Sequence, residues 1–455
     1  MTLRVHPDEI VFRNQNGVLA AHPTWERVRL RQVAYVQNGF AFPSSGFGTT
    51  GEIPLIRIRD VGQPGTHSWY SGPYEDAYIV EPGAVIVGMD GDFRVDRWRG
   101  PRALLNQRVC KLTIRNDGLY SETFLRWVLP GYLDAVNRET SSVTVKHLSS
   151  ETIKELPIPL PPRAEQDRIV AAIEEQFSRL DAGVAALERT RQNVRRMRAA
   201  VLKVAVEFGQ VSGAPMVALG DLVAPGRKVA YGVLVPGGNV ADGVPLIRVG
   251  DLSNRQVRSH GLKRIDPAIA SRYPRTELQG GEVLLSLVGT IGRTAVVPPD
   301  LAGANAARAL AVIPVRETVD PRYVTIALSR ERVTEELTQL SHEVARKTLN
   351  LEDVRKYAIP LPGYEEQLEI VQAVETAETS LSAIDGIVAQ ALGRADHLRG
   401  STLRAAFSGK LVPQDLADES ASVLLQRIAA ERPSLNGHSP RRGRKTRVLE
   451  EEVKA

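Results

Sequence analysis

Two stretches of the chain, residues 164–208 and 365–408, run without proline and are dense in Ala, Leu, Glu, Gln and Arg, a composition that predicts two long helices. In the second, Ile370, Val374, Ala377, Leu381, Ile384, Val388, Ala391, Ala395 and Leu398 alternate steps of four and three, the 3.5-residue repeat of a supercoiled seam. In the first, Ile173, Phe177, Leu180, Val184, Leu187 and Val194 keep the same rhythm; Arg191 interrupts it, and the stripe is expected to shift and continue through Met197, Val201 and Val204. An amphipathic helix of about 40 residues, about 60 Å long, needs a partner for its stripe. The nearest partner within one chain is the other copy, packed antiparallel as a coiled coil. The alternative is that each stripe folds back on its own globular neighbour. Elsewhere, from Trp25 to Pro157 and from Val217 to Ala358, short Val- and Ile-rich runs alternate with Gly, Pro, Asn and Asp, the pattern of strands and turns. Helices are expected within them at Glu122–Val136 and Pro321–Leu340, so the class is α+β: two β-rich domains in tandem, separated by the two long helices.

The tandem character is written in the chain itself. Ile158–Ile169 reads IPLPPRAEQDRI and Ile359–Ile370 reads IPLPGYEEQLEI, 201 residues later. The register runs on without a gap to Leu202 and Leu403, and upstream Lys146 and Leu148 face Lys347 and Leu349. A second echo, IPLIRIRDV at Ile53–Val61 and VPLIRVGDL at Val244–Leu252, has an offset of 191, so the intervening segments differ in length. Further on, Pro82–Val87 parallels Gly280–Leu285, and Asn106 is matched to Asn305. The prolines before each long helix suit a helix start, because proline is tolerated in the first turn.

Composition narrows the class without choosing within it. The 455 residues are 43% hydrophobic and 24% charged, ordinary for a globular protein of about three domains. No run approaches the roughly 18 apolar residues that span a bilayer, and the opening residues lack the apolar core of a signal peptide, which predicts a cytoplasmic protein without a membrane partner. The single cysteine, Cys110, excludes an internal disulfide and gives no start to a zinc site. A formal charge of +5 permits an anionic partner without establishing one.

The distribution of charge is more telling. Arg94, Arg97, Arg99, Arg102, Arg108, Lys111 and Arg115 meet one acid, Asp96, with Phe93 and Trp98 interleaved, which reads as a basic aromatic loop. In the second half Arg255, Arg258, Lys263, Arg264, Arg272 and Arg275 stand against Asp266 alone. Arginine suits phosphate oxygens and the bidentate reading of guanine, so Arg94, Arg97, Trp98, Arg99, Arg255, Arg258 and Arg293 are candidate contacts to double-stranded DNA. Arg293 is included because its loop, Gly289–Gly292, parallels Gly88–Gly91. Lys146 and Lys347, at equivalent positions before the helices, are candidates either for phosphate contact or for a salt bridge to the neighbouring helix. The run Arg441–Arg447 is expected to be disordered and to add non-specific phosphate contact. No catalytic or metal-ligating constellation is visible: the phosphate-cradling, zinc-peptidase, nucleophile-elbow and amino-methyltransferase motifs are all missing. Gly46–Gly51 fits a GxGxxG pattern but leads into a strand, and reads as a flexible loop; His147 and His342 read as structural.

Two variable globular halves, each followed by a long helix entered through Ile-Pro-Leu-Pro and Glu-Gln, with the Pro-Leu-Ile-Arg repeats at Pro54 and Pro245, resemble the specificity (S) subunits of type I restriction-modification enzymes. The resemblance implies two target-recognition domains, each reading one half of a split, asymmetric DNA target, and a helical pair that sets the gap between them. It divides the chain into an N-terminal segment 1–22, a recognition domain 23–157, a central helix 158–212, a second recognition domain 213–358, a C-terminal helix 359–412 and a basic, disordered tail 413–455. It also implies a non-catalytic chain that binds no cofactor itself. Two modification subunits carrying S-adenosylmethionine would dock on it, through Glu165, Gln166, Glu366 and Gln367 at the helix starts, along with any restriction subunits carrying ATP and Mg2+. A repeat scaffold that assembles proteins without touching DNA is the alternative.

Overall fold

The computed structural model describes residues 6–13, 17–139, 146–211, 213–343 and 347–430. The chain divides into two compact units, Met1–Val184 with Gly393–Ala455, and Ala185–Leu392. The six blocks drawn from the sequence therefore fall into two bodies, each holding one recognition domain and one end of each long helix.

In the first unit the β-branched run at Val85–Gly88 is buried on both faces and lies inside a four-stranded antiparallel sheet ordered Ala34–Asn38, Val109–Ile114, Val85–Gly88, Val95–Arg97. A second sheet contains Ile53–Ile56, the Pro-Leu-Ile strand, paired in parallel with Ala103–Leu105. The helix Glu122–Glu139 covers the core with Phe124, Leu125, Val128, Leu129, Tyr132 and Leu133. The second unit repeats this plan, with Ala230–Tyr231, Leu310–Ile313, Val283–Ser286 and Thr294–Val296 in the same order and Val244–Ile247 parallel to Asn305–Ala306. Gly39 and Gly232 occupy equivalent tight crossings: a Cβ on either would lie 2.1 Å from a backbone oxygen, of Asn106 and of Ala306 respectively.

The strand pairing corrects one sequence match. Phe40 bridges Asn106 and Val233 bridges Ala307, while Leu104 and Asn305 hold equivalent places opposite Leu55 and Leu246. Asn106 therefore corresponds to Ala307, and the shared asparagine letter misled by two positions. The single helix expected at Pro321–Leu340 is two, Pro321–Leu328 and Glu331–Gln339, because Arg330 is extended and starts a new helix.

Each long helix is entered through a short antiparallel pair, Glu26–Arg29 with Pro157–Leu160 in the first unit and Met216–Ala218 with Ala358–Pro360 in the second. The helices run Arg163–Val211 and Tyr364–Phe407, 49 and 44 residues, close to the predicted limits. Within each unit they pair antiparallel. In the first, Thr402 donates to Gln176 at 2.8 Å and Arg399 pairs with Asp181; in the second, Arg198 meets Asp385 at 2.8 Å, and Val206 shares a core with Ile370, Val371 and Val374.

The seam differs from the expected one beyond Arg191. Met197 and Val204 are 56% and 62% exposed, and Ile384 and Leu398 also face outward. The stripe continues unshifted through Arg198, Val201 and Ala205, and through Asp385 and Arg399 on the other helix. Arg198 and Asp385 satisfy each other there, so a position that reads as polar in the sequence can lie in the seam through its aliphatic stem.

The chain ends contribute more than expected. Ile10 and Val11 of the helix Pro7–Arg13 enter the first unit's core. Residues 413–430, placed in a disordered tail by sequence, instead include the helix Ala421–Ala430, whose Ala421, Leu424 and Ile428 are buried at spacings of three and four. The run Arg441–Arg447 lies outside the described residues.

Candidate nucleic-acid interface

The central hairpin of each recognition domain presents an arginine at the same point. In the first unit the strands Val85–Gly88 and Val95–Arg97 are joined by a loop closed where the Gly88 N–H donates to the Arg94 carbonyl at 2.8 Å; in the second, the Ser286 N–H donates to the Arg293 carbonyl at 2.8 Å. The loops are pinned from behind alike, Leu148 N–H to Met89 carbonyl at 2.7 Å and Leu349 N–H to Leu287 carbonyl at 3.0 Å. The second loop is one residue longer, with Gly292 at φ +90° beside Thr334, a conformation that suits glycine. Arg94 is 63% exposed, its guanidinium 3.3 Å from Asp92. Arg293 is exposed with no side-chain partner among the described residues. Each arginine lines a surface cleft, with Ile58, Arg59, Gly88 and Asp90 in one unit and with Asn254, Arg255, Thr294 and Ser329 in the other.

The remaining candidates divide by how far their charge is already committed. Arg99 is exposed and pairs with Asp96 at 2.9 Å, and Arg258 is exposed and donates to the Gly250 carbonyl. Arg97 is half-buried, held by Thr123 at 2.7 Å and near Glu122, whose carboxyl burial pushes above its ordinary range despite the attraction of Arg97. Lys146 closes its own loop, donating to the carbonyl and side-chain oxygen of Asn137 at 2.6 and 3.0 Å, which is neither of the two contacts considered for it. Lys347 lies in the strand Lys347–Thr348.

Two candidates are corrected. Trp98 is 1% exposed and donates its ring N–H to the Pro101 carbonyl at 2.7 Å, and Phe93 is likewise core, so neither can stack on a base. Arg255 sits at φ +60° in a tight turn with its guanidinium bound to Glu378 and only 14% of its side chain exposed, because that ion pair ties the turn to the long helix.

The proposed docking residues are also mostly occupied. Gln166 and Gln367 are buried and hydrogen-bonded to backbone. Glu165 is buried, accepting the Trp25 ring N–H at 3.0 Å and the Gln414 amide; burial pushes its carboxyl above the ordinary range against those two bonds. Internal satisfaction removes these three side chains from any docking face. Glu366 alone is partly exposed, and its one carboxylate oxygen without a hydrogen-bond partner among the described residues is itself buried.

Arg57 and Arg248, which close the Pro-Leu-Ile-Arg repeats, read from the sequence only as repeat markers. Both start a short turn in which the arginine N–H donates to Asp60 at 2.8 Å or Asp251 at 2.9 Å, and the buried carboxylate fixes the turn. The matching Arg-x-x-Asp spacing was the available signal. Arg308, whose N–H donates to the Val233 carbonyl at 3.0 Å, is exposed with no side-chain partner among the described residues; nothing in the sequence singled it out.

Two copies of the type I restriction modification DNA specificity domain match residues 23–194 and 216–387. The chain belongs to the type I restriction-modification specificity subunits. The EcoBI specificity subunit of Escherichia coli is 39% identical over 94% of this chain and 97% of its own length. The EcoKI specificity subunit of Escherichia coli strain K12 is 25% identical over 67% of this chain and 70% of its own. A solved chain from work on the assembly and conformational transition of the type I R-M system covers 86% of this chain at 20% identity and a TM-score of 0.53, a likeness of fold. The specificity subunit thus has a DNA sequence-recognition role within a restriction-modification complex, and the protein-only scaffold reading falls. No helix among its described residues is long and apolar enough to cross a membrane.

Proposed function

We propose that each unit binds one half of a bipartite, asymmetric double-stranded DNA target, with Arg94 and Arg293 entering at equivalent points of the two half-sites. The observation that carries this is the repeated hairpin: one backbone frame presents an exposed guanidinium in both domains, while neighbouring positions differ, Asp90 against Val288 and Arg97 against Val296. A shared frame carrying different neighbours suits two unlike half-sites approached in the same way. In this reading the exposed Arg99, Arg258, Arg57 and Arg248 contact backbone phosphates. Two joined readers add their discrimination, because each wrong base pair costs about 1–3 kcal/mol.

In this reading the paired helices fix the spacing of the half-sites, and two modification subunits dock on the specificity subunit, with the partly exposed Glu366 as the remaining candidate contact at the helix starts. S-adenosylmethionine would be bound by those subunits, and ATP with Mg2+ by restriction subunits where the complex includes them; this chain is non-catalytic, and the assembly works in the cytoplasm. Methylation profiling of a host with and without the gene tests the target: a split, asymmetric motif is expected, and a continuous or palindromic one overturns the reading. Binding measured against salt tests the residues. Arg94→Ala and Arg293→Ala are each expected to weaken binding, and a lost phosphate contact lowers the salt slope by about 0.9. Unchanged affinity and slope in both variants would remove them from the interface.

A further inference from the structure

The side chains of Gln166 and Gln367 stand 201 residues apart in the sequence and make the same link in each unit. Both lie in the first turn of a long helix and are buried, 0% and 1% exposed. The Gln166 amide oxygen accepts the Ser121 N–H at 2.7 Å, while its nitrogen donates to the carbonyls of Pro161 at 3.0 Å and Leu119 at 3.2 Å. The Gln367 oxygen accepts the Asp320 N–H at 2.9 Å, and its nitrogen donates to the Pro362 carbonyl at 2.9 Å. Ser121 and Asp320 each stand immediately before the helix of a recognition domain, at Glu122 and at Pro321. One amide thus fastens the start of the long helix to the start of the domain helix, twice over.

A tyrosine doubles each fastening. Tyr120 donates to the Pro159 carbonyl at 3.1 Å and Tyr323 to the Pro360 carbonyl at 2.6 Å. The two prolines are equivalent and the two tyrosines are not, since one precedes its domain helix and the other lies within it. The glutamines are the part of the link that is the same in both units.

We propose that Gln166 and Gln367 are positioning residues that fix the rotational register of each recognition domain on its long helix, and thereby the number of base pairs between half-sites that the complex accepts. This rests on the bipartite-target reading. The geometry of DNA makes such a clamp consequential. One added base pair moves a half-site by about 3.4 Å and turns it by about 34°, so a domain free to rock on its helix tolerates a misfit that a clamped one rejects. A buried amide held by two or three hydrogen bonds resists that rocking, because moving it leaves donors and acceptors unsatisfied.

The test uses the full complex with its modification subunits and a set of plasmids in which the two half-sites are fixed and only the spacer length varies. The readout is the ratio of methylation rate at the preferred spacer to the rate one base pair longer or shorter. Gln166→Met and Gln367→Met keep the side-chain length and remove the hydrogen bonds. Each is expected to lower the ratio by about tenfold, equivalent to about 1.4 kcal/mol, with a smaller change in rate at the preferred spacer. Gln166→Glu keeps an acceptor for the Ser121 N–H and loses the donors; it is expected to fall between, and it carries the test if the Met variant does not fold. Variants that keep the wild-type ratio, or that lose rate equally at every spacer, overturn the clamp and leave a structural role. A wild-type complex indifferent to spacer length overturns the bipartite reading instead.

Discussion

Trp98, Gln166 and Arg255 show how a side chain's type misleads when its surroundings are unknown. An indole among arginines looks like a stacking platform, yet its ring fills the core and its N–H finds a carbonyl a short way along the chain, at Pro101. Glutamine beside glutamate at a helix start looks like exposed polarity, yet the amide is among the most buried in the molecule. Glu165 allows this to be measured. Its two oxygens receive Trp25 and Gln414, so Glu165→Ala strands the buried Trp25 N–H, Gln414 being exposed, and is expected to cost about 1–3 kcal/mol in thermal unfolding of the first unit. Burial holds its carboxyl above the ordinary 4.5, so the folded state protonates first as pH falls. The contribution of this group to stability is therefore full below 4.5 and lost as pH rises through the raised value, and relative to Glu165→Gln the native protein is expected to lose stability over that interval in denaturant titrations.

At the scale of elements, period and punctuation told more than residue type. The two long helices were legible to within a few residues because proline fences them and apolar positions recur every three or four. The sheets were legible as β-rich segments, but not in order or register, since short buried strands carry no alternation to align. The seam past Arg191 was misread because an apolarity count cannot see that Arg198 and Asp385 neutralise each other. The helix Ala421–Ala430 was missed for the opposite reason: it is only ten residues long, with three buried positions, and it follows the polar run Asp418–Ser420. Leu424 is fully buried there, so Leu424→Ala is expected to cost about 2–5 kcal/mol, lowering the first unit's melting transition and leaving the second's in place. The hairpin arginines stand between these cases. Repeat alignment found Arg293, and the hydrogen bonds closing the loops show that its true counterpart is Arg94.

At the scale of the whole molecule the chain is two versions of one plan, and the Ile-Pro-Leu-Pro and Pro-Leu-Ile-Arg echoes display that duplication in the order of its residues. Recognition domains that each carry their own core and their own clamp are expected to be exchangeable. Replacing residues 23–157 with the corresponding segment of a relative that recognises a different sequence should change one half of the methylated motif and leave the other half and the spacing intact. Methylation profiling reads this directly, and a change in both halves would count against independent reading.

The first unit is completed from two segments that flank the second: Phe407, Leu424 and Ile428 close a core begun by Ile10 and Trp25, whereas the second unit is a single uninterrupted stretch. On a translating ribosome the order in which the two cores are completed is then inverted relative to their order in the message. The later reader can finish folding while the earlier one still shows an unfilled apolar seat, waiting for Phe407, Leu424 and Ile428 to leave the exit tunnel. Nascent chains of this protein are expected to depend on chaperones chiefly through residues 1–184, and termination ahead of Phe407 would cripple the half that was made first.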